Sequence, residues 1–502
     1  MKSRPRNCAH QEVELKLCLP GADPAVLAKR LARTPALARR KPTQLALFNI
    51  YFDTPEQALR QRGVALRLRR VGSAADPQWL QTLKTSTGEL SALSQRGEWE
   101  CAVAGPALEM AALADTVWTG IDPDGRLFAV LAPCFVTRFQ RSLWPVRRRD
   151  GSAVEVALDI GHIEAEGKQA PICELELELK AGQPAALFDL ARQLAQGVAV
   201  LPANQSKAER GFLLAQDALD RPQRARTPEL VLPLSRPELV QRVLREMFAH
   251  FTQNLDVLRT SDDPEVVHQA RVGWRRLRSC LRLFRKTLAA AEAPSWLDLQ
   301  PLLAGLGDLR NLDVAVTETL PALSNAYAVD NAARAQAWQA ILGALAQAAA
   351  RQRQAVRQTL QVPAVGLCLL ALTEWLEQLS GLEHAGPVKK AALQRWARRR
   401  IACLQQRLAL AQKNATTLAQ QHRVRILAKR LRYGVQALRE LLPKRLADTC
   451  SAQAIGLQNT LGFSRDVAQA AALVARHGLD PAIQVFLQGV VAGYTLSKAP
   501  AE

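Results

Sequence analysis

The segment QEVELKLCL, residues 11–19, alternates charged and apolar side chains in a pattern that could do chemistry. If the segment is a β-strand, Glu12, Glu14 and Lys16 lie on one face, and the valine and leucines lie on the other. Two carboxylates and an amine then lie within about 14 Å, at roughly 3.4 Å per residue. One such strand is either an edge exposed to solvent or part of a binding site.

Later segments repeat this alternation, and the sign of their charge is segregated by strand. The polar faces carry Arg67 and Arg69 in residues 64–70, Glu98 and Glu100 in 97–103, Glu155 and Asp159 in 154–160, and Glu174, Glu176 and Glu178 in 173–179. Clustered acids repel each other unless a cation lies between them, and clustered arginines repel unless an anion does. The set therefore predicts a site for a metal ion and a polyphosphate. Carboxylate oxygens suit Mg²⁺ or Mn²⁺, and guanidinium groups suit phosphate oxygens.

The elements that would hold these residues occupy only the first part of the chain of 502 residues. Period-two strands separated by Asp-Gly and Glu-Gly turns dominate the first 220 residues, with helical pieces near 24–34, 106–115 and 184–196. From residue 238 onward, long segments of Ala, Leu, Gln and Arg have the helical period. The segment between these two parts, residues 219–237, contains four prolines, which is typical of a linker. We predict a β-rich domain over 1–218, a linker over 219–237 and an all-α domain over 238–495.

The positive charge of the protein lies almost entirely in the second half. Residues 1–220 hold 28 Lys and Arg against 25 Asp and Glu, whereas residues 221–502 hold 38 against 21. A net charge this uneven predicts a polyanionic partner for the second half: nucleic acid, an anionic membrane or a phosphate polymer.

Several other classes of protein are not supported by the sequence. The nine cysteines include no Cys-x-x-Cys pair, which argues against disulfides and a zinc site and favours reduced thiols in the cytoplasm. No run of 18 uncharged apolar residues predicts a membrane span, and no apolar segment follows the basic N-terminus. Neither the phosphate-binding motif GxxxxGK[ST] nor GxSxG occurs. We expect a cytoplasmic protein without a membrane partner and leave open an association with polyphosphate granules.

The first half resembles the CYTH superfamily, the triphosphate tunnel metalloenzymes. Glu12-Val-Glu14-Leu-Lys16 matches the ExExK signature of that family. Further pieces follow in the family's order, namely NIYFDTP (49–55), ALRLRR (65–70), the strand ending at Lys84, RGEWE (96–100), VALDIGHIEA (156–165), ICELELELK (172–180) and SKAERG (206–211). The resemblance covers residues 8–215 and implies an eight-stranded antiparallel β tunnel. The charged face of the first strand would then line a pore.

The resemblance also implies roles for individual residues. The metal ligands would be Glu12, Glu14, Asp159, Glu176 and Glu178. The triphosphate would be held by Lys16, Arg67, Arg69, Lys84, Arg141 and Lys207. The catalytic groups would be Glu98, Glu100 and Lys84. Glu98, Glu100 and Asp159 would be candidates to bind a second metal or to orient water. Arg141 is preferred over Arg138, which is one strand face out of phase, and Glu174 is either a site residue or a solvent-exposed charge at a strand end.

The second half contains an internal duplication. HQARVGWRRLRS (268–279) aligns without a gap over HRVRILAKRLRY (422–433), and LGDLRNLD (306–313) aligns with LGFSRDVA (461–468). On a helix, the basic residues of each copy form one stripe opposite an apolar face. Neither segment contains Asp or Glu, although exposed helices usually gain from acid–base pairs four residues apart. The stripe therefore predicts a polyanion site more strongly than an ordinary exposed face.

This half resembles the CHAD domain, a helical module that often follows CYTH. The resemblance spans roughly 238–492 and implies two duplicated four-helix bundles that bind inorganic polyphosphate. The residues expected to bind it are His268, Arg271, Arg275, Arg278, Arg282, His422, Arg425, Lys429 and Arg432. The second copy lacks a counterpart of Asp313, which leaves the role of that residue open. Few aromatic residues interleave with the basic ones, which argues against nucleic acid as the partner.

We therefore predict a multidomain α+β protein that hydrolyses inorganic triphosphate to pyrophosphate and phosphate with Mg²⁺ or Mn²⁺, and that binds polyphosphate through its helical domain. One alternative is a thiamine-triphosphatase or adenylate cyclase activity in the same tunnel. The other is a polyphosphate-binding or targeting protein without catalysis. The sequence does not decide the oligomeric state.

Overall fold

The computed structural model describes residues 10–21, 23–72, 77–86, 88, 90–382, 386–460 and 463–496. Within these residues the chain divides into two compact units. Unit 1 extends to residue 221 and includes residues 259–261 and 360–377, and unit 2 comprises residues 222–258, 262–359 and those from 378 onward.

Unit 1 is built on an eight-stranded antiparallel barrel, which confirms the predicted fold. Its strands are β1 His10–Cys18, β2 Thr43–Asp53, β3 Val64–Val71, β4 Gln78–Thr85, β5 Leu93–Val103, β6 Ala132–Arg147, β7 Ala153–Ala165 and β8 Lys168–Ala181, and the short β9 Leu201–Pro202 adds to β1. The strands follow the order β5-β4-β3-β2-β6-β7-β8-β1, and β1 pairs with β5 to close the ring. Gly151 and Gly167 form the tight turns on either side of β7, where φ values of 85° and 72° favour glycine.

Most helices of unit 1 cover the outer surface of the barrel. The helices of unit 1 are α1 Pro24–Ala32, α2 Ala58–Gln61, α3 Trp118–Ile121, α4 Arg126–Ala129, α5 Ala185–Ala195, α6 Lys207–Ala215 and α12 Pro363–Gln378. Leu15 and Leu17 of β1 pack outward in one core with Leu31 of α1 and Leu187 of α5. Because successive side chains of a strand alternate between its faces, burying these leucines outside directs their charged neighbours into the barrel. The helix predicted near 106–115 is only a short 3-10 turn at Met110–Leu113.

Helix α6 packs into the barrel interior. Its residues Phe212 and Leu214 join an aromatic cluster with Tyr51 and Phe135 from the strands, and the rings of Phe135 and Phe212 lie 5.0 Å apart. Gly211 permits this approach, because a Cβ atom there would lie 2.2 Å from the Phe135 ring. The packing fixes the start of α6 beside the polar part of the interior.

Helix α12 comes from the C-terminal half of the sequence but belongs to unit 1. A Cβ atom on Gly366 would lie 2.2 Å from the carbonyl oxygen of Val200, so only glycine fits at this contact. The carboxylate of Glu377 accepts a hydrogen bond of 2.6 Å from the hydroxyl of Ser91. A segment distant in sequence is thus part of the structure that surrounds the barrel.

Unit 2 is helical in its described residues. Its helices are α7 Arg236–Val257, α8 Pro264–Leu283, α9 Gln300–Val314, α10 Leu320–Ala328, α11 Ala332–Thr359, α13 Lys390–Lys413, α14 Leu418–Ala437, α15 Lys444–Thr460, α16 Phe463–Arg476 and α17 Pro481–Leu496, with a π-helical turn at Ala315–Thr319. The two aligned basic segments lie on α8 and α14, which are each 20 residues long. Asp263 caps α8, and Thr417 with Gln420 forms a capping box on α14.

Two further findings concern regions singled out by the sequence. The second copy of the LGDLRNLD motif begins at Leu461 and Gly462, which lie outside the described residues. Among the described residues, no single helix has the length and apolar composition to cross a membrane. One bent pair, Ala332–Thr359 with Pro363–Gly381, meets that criterion by length and composition alone.

Candidate active site and candidate polyanion site

The barrel interior contains a charged cavity of about 390 Å³. Eight of its lining residues are cationic and seven are acidic. The cationic residues are Lys16, Arg67, Arg69, Lys84, Arg96, Arg141, Lys180 and Lys207, and the acidic ones are Glu12, Glu14, Glu98, Glu100, Glu155, Glu176 and Glu178. A volume of this size accommodates a small ligand, and the nearly balanced wall requires that ligand to bring its own charge.

The two glutamates of β1 form ion pairs with a lysine and an arginine. Lys84 donates to both oxygens of Glu12 at 2.9 Å, and the Nε atom of Arg96 donates to the same carboxylate at 2.7 Å. The other end of the Arg96 guanidinium pairs with Glu14, whose carboxylate lies 3.4 Å from Lys16. Antiparallel pairing of β1 with β5 places Glu12 directly opposite Arg96. The register between β1 and β5 therefore brings Glu12 and Arg96 together.

These contacts keep the first acidic group ionised. Burial opposes the charge on Glu12, but Lys84 and Arg96 outweigh it and hold the pKa of Glu12 below its ordinary value. Burial also disfavours the charge on Arg96, and the two glutamates more than compensate, which raises its pKa. The carboxylate of Glu12 is therefore available as an anionic ligand at neutral pH.

A second acidic group lies on β7 and β8. Asp159, Glu174 and Glu176 each place a carboxylate oxygen within 4.8 Å of the others. Lys207, at the start of α6, reaches into the group and lies 2.6 Å from Asp159 and 2.9 Å from Glu176. Arg141 binds Asp159 through two hydrogen bonds of 2.7 Å.

The donors of this second group suit a divalent metal ion. Three carboxylates that converge to such distances offer the hard oxygen ligands that Mg²⁺ and Mn²⁺ prefer. Burial disfavours the charge on Glu176, but Lys207, Arg141 and Lys16 outweigh it and hold its pKa well below the ordinary range. Burial likewise opposes the charge on Lys207, and its acidic neighbours raise its pKa. Glu176 is thus ionised, and the positive charges that face the three carboxylates come from side chains.

The arginines of β3 form a cationic part of the wall. Arg67 lies 3.7 Å from Glu98 and hydrogen-bonds to Tyr51, yet its buried Nε atom has no hydrogen-bond partner in the described residues. Arg69 donates to Asn49 at 2.8 Å. Burial, followed by repulsion from Arg67 and Arg141, lowers the pKa of Arg69 to about 10. A negatively charged ligand would relieve this repulsion.

The predicted catalytic residues lie on β4 and β5. Lys84 lies 3.0 Å from Glu98, and Thr82 donates a hydrogen bond of 2.9 Å to Glu100. Burial disfavours the charge on Glu98, but Lys84 and Arg67 outweigh it and lower the pKa of Glu98. A carboxylate that stays ionised can accept a hydrogen bond from water.

Glu178 differs from the other glutamates of the cavity. Burial raises its pKa, although Lys180 lies 2.5 Å from its carboxylate and opposes this effect. Lys180 also pairs with Glu155 at 3.2 Å. Glu178 lies opposite Glu14 in the pairing of β1 with β8.

The structure brings the predicted tunnel residues together. Every site residue predicted in the first half lines the cavity except Asp159, which lies behind Arg141 and Lys207. Arg138 lies outside this cavity, half-exposed and paired with Glu164. The assignment of metal, substrate and catalytic roles to these residues stays a prediction.

Sequence reasoning left the place of Glu174 open and assigned no role to Arg96 and Lys180 of the wall. Glu174 is only 3% exposed and pairs with Lys207, so it is not a solvent-exposed charge at a strand end. Arg96 belongs to β5, because that strand begins at Leu93 and not at residue 97. Arg96 lies on the same face of β5 as Glu98, and Lys180 lies on the same face of β8 as Glu178. The alternation of strand side chains could therefore have identified both residues.

Unit 2 contains a cluster of six cations that we call the central cluster. It consists of Arg271, Arg275, Arg310, Arg425, Lys429 and Arg465. Its members come from α8, α9, α14 and α16, and they form three pairs related by the duplication. In the described residues, no ion pair to a carboxylate involves Arg271, Arg275, Arg425 or Lys429.

Mutual repulsion is evident in the pKa values of this cluster. Burial, followed by the charges of Arg275, Arg425, Arg465 and Arg271, lowers the pKa of Lys429 to about 7. Unpaired cations crowded in this way provide strong affinity for a polyanion.

The predicted polyphosphate residues do not all belong to the central cluster. Burial and Arg310 lower the pKa of His268 to about 4, so this side chain is neutral at pH 7. His422 is exposed, and Arg432 donates to Gln458 at 3.1 Å. Arg278 and Arg282 lie farther along α8, close to each other and to Arg430 of α14.

Two family models match separate parts of the chain. Residues 10–212 match the family model of the CYTH domain, and the chain therefore carries a CYTH domain. Residues 242–475 match the family model of the CHAD domain. With both, the chain is a CYTH–CHAD protein.

Individual relatives are similar to one part each. An inorganic triphosphatase of Haemophilus influenzae is 34% identical over 209 residues, which are 41% of this chain and 56% of that protein. The match thus spans little more than half the length of this relative. The CHAD domain structure from the plant Ricinus communis is 24% identical and covers 55% of this chain and 92% of its own, with a TM-score of 0.47. HpAC1 of Hippeastrum, for which a dominant triphosphatase activity is described, is 19% identical and covers 40% and 95%, with a TM-score of 0.31.

Proposed function

We propose that the barrel hydrolyses inorganic triphosphate to pyrophosphate and phosphate with Mg²⁺ or Mn²⁺, and that the helical unit binds inorganic polyphosphate. The observation that carries the first part is the cavity wall of eight cations and seven acids within one closed barrel. The name of the Haemophilus influenzae relative, which is 34% identical over this region, supports the same substrate.

Exchange of ion pairs explains how such a wall can bind a charged substrate. A metal–triphosphate complex offers a cation to the carboxylates and phosphate oxygens to the lysines and arginines. Lys207 can then turn from Asp159 and Glu176 toward a phosphate, and Arg141 can do the same. Every charge keeps a partner, so burial of the highly charged ligand leaves no wall residue uncompensated.

The residues divide into three roles in this proposal. Lys16, Arg67, Arg69, Arg141 and Lys207 bind the phosphate oxygens, while Asp159, Glu174 and Glu176 hold a metal, together with Glu12, Glu14 and Glu178 nearer β1. A bound divalent ion would neutralise phosphate charge as a Lewis acid. Glu98 and Glu100 orient the water that attacks the terminal phosphorus. Lys84 then stabilises charge as the bond to the bridging oxygen breaks.

Phosphate release from purified full-length protein tests this function. Tripolyphosphate should be cleaved in the presence of Mg²⁺ or Mn²⁺ faster than ATP or thiamine triphosphate, and pyrophosphate should be poor because it leaves part of the cationic wall unpaired. Arg67→Ala should lower kcat/KM for tripolyphosphate by about a hundredfold or more, since charge-assisted contacts to the transition state are lost. Arg138→Ala, outside the cavity, is the matched control and should change kcat/KM little. Efficient cleavage of pyrophosphate, or equal losses in both variants, would contradict the assignment.

The central cluster supports the second part of the proposal. Four of its six cations, Arg271, Arg275, Arg425 and Lys429, lack carboxylate partners in the described residues. Burial and the neighbouring cations lower the pKa values of Arg271, Arg425 and Lys429. A thin phosphate chain presents closely spaced charges that can meet several of these groups at once.

We expect polyphosphate binding to take up a proton above pH 7. Lys429 has a pKa of about 7 in the free protein, where Arg271 and Arg275 of α8, Arg425 of α14 and Arg465 of α16 oppose its charge. A bound polyanion raises this pKa, so affinity should be constant below about pH 6.5 and fall as pH rises toward 9. One proton changes affinity by at most about tenfold per pH unit.

Binding titrations between pH 6 and 9 at constant salt measure this effect. Lys429→Arg is the matched control, because arginine retains its charge over this range and should flatten the profile. If Lys429→Arg has the wild-type profile, Lys429 is not the group that titrates.

A further inference from the structure

Lys429 differs chemically from the other five members of the central cluster. Those five are arginines, whose guanidinium groups stay protonated at neutral pH, whereas a lysine amine that loses its proton becomes a nucleophile. Arg275 occupies the equivalent position in the first copy of the duplication. Because an arginine provides the same positive charge, charge alone does not require a lysine at this position.

Cations from three helices lie near the amine of Lys429. They are Arg271 and Arg275 of α8, Arg425 of α14 and Arg465 of α16. Burial, followed by these four charges, lowers the pKa of Lys429 to about 7. About half of the Lys429 amines are therefore neutral at pH 7, compared with fewer than about one in a thousand for an ordinary lysine. The side chain is also partly exposed, so a small molecule can reach it.

The packing of α8 on α9 holds one of these arginines in place. A Cβ atom on Gly307 of α9 would lie 2.9 Å from the Nη1 atom of Arg271, so this guanidinium lies directly against the α9 backbone. The same nitrogen donates a hydrogen bond of 3.5 Å to the carbonyl oxygen of Leu303. Arg271 has no carboxylate partner in the described residues, and it therefore provides a fixed positive charge that can bind an anion near Lys429.

An electrophile that carries a phosphate group matches both the amine and the arginines. We propose that Lys429 is a modification site that is acylated by acyl phosphates, small molecules in which a carboxylic acid is joined to phosphate as a mixed anhydride. The arginines would bind the phosphate oxygens, bring the carbonyl carbon to the amine and stabilise the phosphate that leaves. This inference uses the charges of the central cluster and does not depend on polyphosphate as their ligand.

The reaction transfers an acyl group without oxidation or reduction. The neutral Nζ atom of Lys429 attacks the carbonyl carbon, and a C–N bond forms as the bond from that carbon to the phosphate oxygen breaks. Inorganic phosphate leaves with the electron pair of the broken bond, and the nitrogen releases one proton to water. The product is an uncharged amide, so acylation removes one of the six charges of the central cluster.

Two opposing effects set the expected rate advantage of Lys429. Its larger neutral fraction at pH 7 favours reaction by about a thousandfold. Nucleophilicity falls with pKa, however, and a Brønsted slope of about 0.4–0.5, as for thiols, cancels part of that gain. A net advantage of roughly thirtyfold remains, and binding of the phosphate group adds to it.

Mass spectrometry of the full-length protein after treatment with acetyl phosphate at pH 7 measures this reactivity. Lys429 should be acetylated at least about thirtyfold faster than Lys413 and Lys444, which are exposed lysines of unit 2. Inorganic pyrophosphate in EDTA should slow the reaction at Lys429 about tenfold or more and leave the other two lysines unaffected, because it occupies the arginines. Acetic anhydride, which carries no phosphate, should show a smaller preference for Lys429.

A double variant tests the contribution of the arginines. Arg271→Gln with Arg465→Gln should slow acetylation of Lys429 by about tenfold or more. The matched control, Arg398→Gln with Arg399→Gln, removes two charges from exposed residues of α13 and should change this rate less than twofold. Thermal unfolding verifies that both variants are folded.

Three results would overturn the inference, and two of them need only the wild-type protein. The first is acetylation of Lys429 no faster than that of Lys413 and Lys444. The second is a preference for Lys429 that is as large with acetic anhydride as with acetyl phosphate, since the arginines would then have no role in recognition. The third is an equal loss of rate in the two double variants.

Discussion

Glutamine in place of both Glu12 and Glu14 is expected to abolish hydrolysis of tripolyphosphate. The amide retains the shape of the carboxylate but removes the charge that would hold a metal ion. The change also deprives Arg96 of both of its acidic partners. We expect kcat to fall by at least about a thousandfold, as the loss of electrostatic stabilisation is usually the largest single effect in such sites.

Phosphate release at saturating Mg²⁺ and Mn²⁺ measures this loss. Glu164→Gln makes the same substitution at a residue that pairs with Arg138 and lies outside the cavity. That control should retain activity within about twofold. Turnover near the wild-type level in the Glu12→Gln, Glu14→Gln protein would end the interpretation of β1 as a metal-binding strand. Circular dichroism separates a chemical effect from unfolding.

Charge reversal at Arg271 and Arg425 should nearly eliminate binding of long-chain polyphosphate. These two arginines are duplicate positions of the central cluster and lack carboxylate partners among the described residues. Introducing two carboxylates changes the local charge by four units at the place where the cations are crowded. We expect affinity to fall by roughly a thousandfold at low salt and by less at high salt, because salt screens the field.

Direct titration at two salt concentrations measures this effect. Arg398→Glu with Arg399→Glu makes an equal change of net charge at two exposed residues of α13 and should reduce affinity only slightly. Equal losses in the two double variants would mean that binding follows the overall charge of the protein and not a defined site. Duplex DNA should compete poorly if the site admits only a thin phosphate chain, and effective competition would argue against polyphosphate as the ligand.

The strand alternation allowed most of the barrel wall to be predicted. Because side chains of a strand alternate strictly, the positions of Glu12, Glu14 and Lys16 on one face follow from the sequence alone. The order of the later motifs supported the resemblance to the CYTH superfamily, which implied a closed barrel, and the structure confirms it. The duplication was equally visible, since α8 and α14 begin at aligned residues.

Pairing across the barrel could not be predicted in the same way. The contacts of Glu174 with Lys207 and of Arg96 with Glu12 depend on how α6 packs and where β5 begins. The local periodicity of the sequence predicts neither the packing of α6 nor the first residue of β5. The basic stripe of α8 is continuous in sequence, yet Arg275 belongs to the central cluster whereas Arg278 lies beside Arg282 and Arg430. The tertiary packing of α8 against other helices separates the surroundings of Arg275 from those of Arg278.

The membership of α12 in unit 1 determines when during synthesis the barrel unit can be completed. Leu370 of α12 is fully buried in the core that includes Leu187 of α5. All eight strands have left the ribosome long before Leu370 is translated. At about 5–20 residues per second, the interval between α6 and the end of α12 is roughly ten to thirty seconds. During this interval the nascent barrel exposes an apolar surface that chaperones can bind, and a chain truncated at residue 237 exposes it permanently.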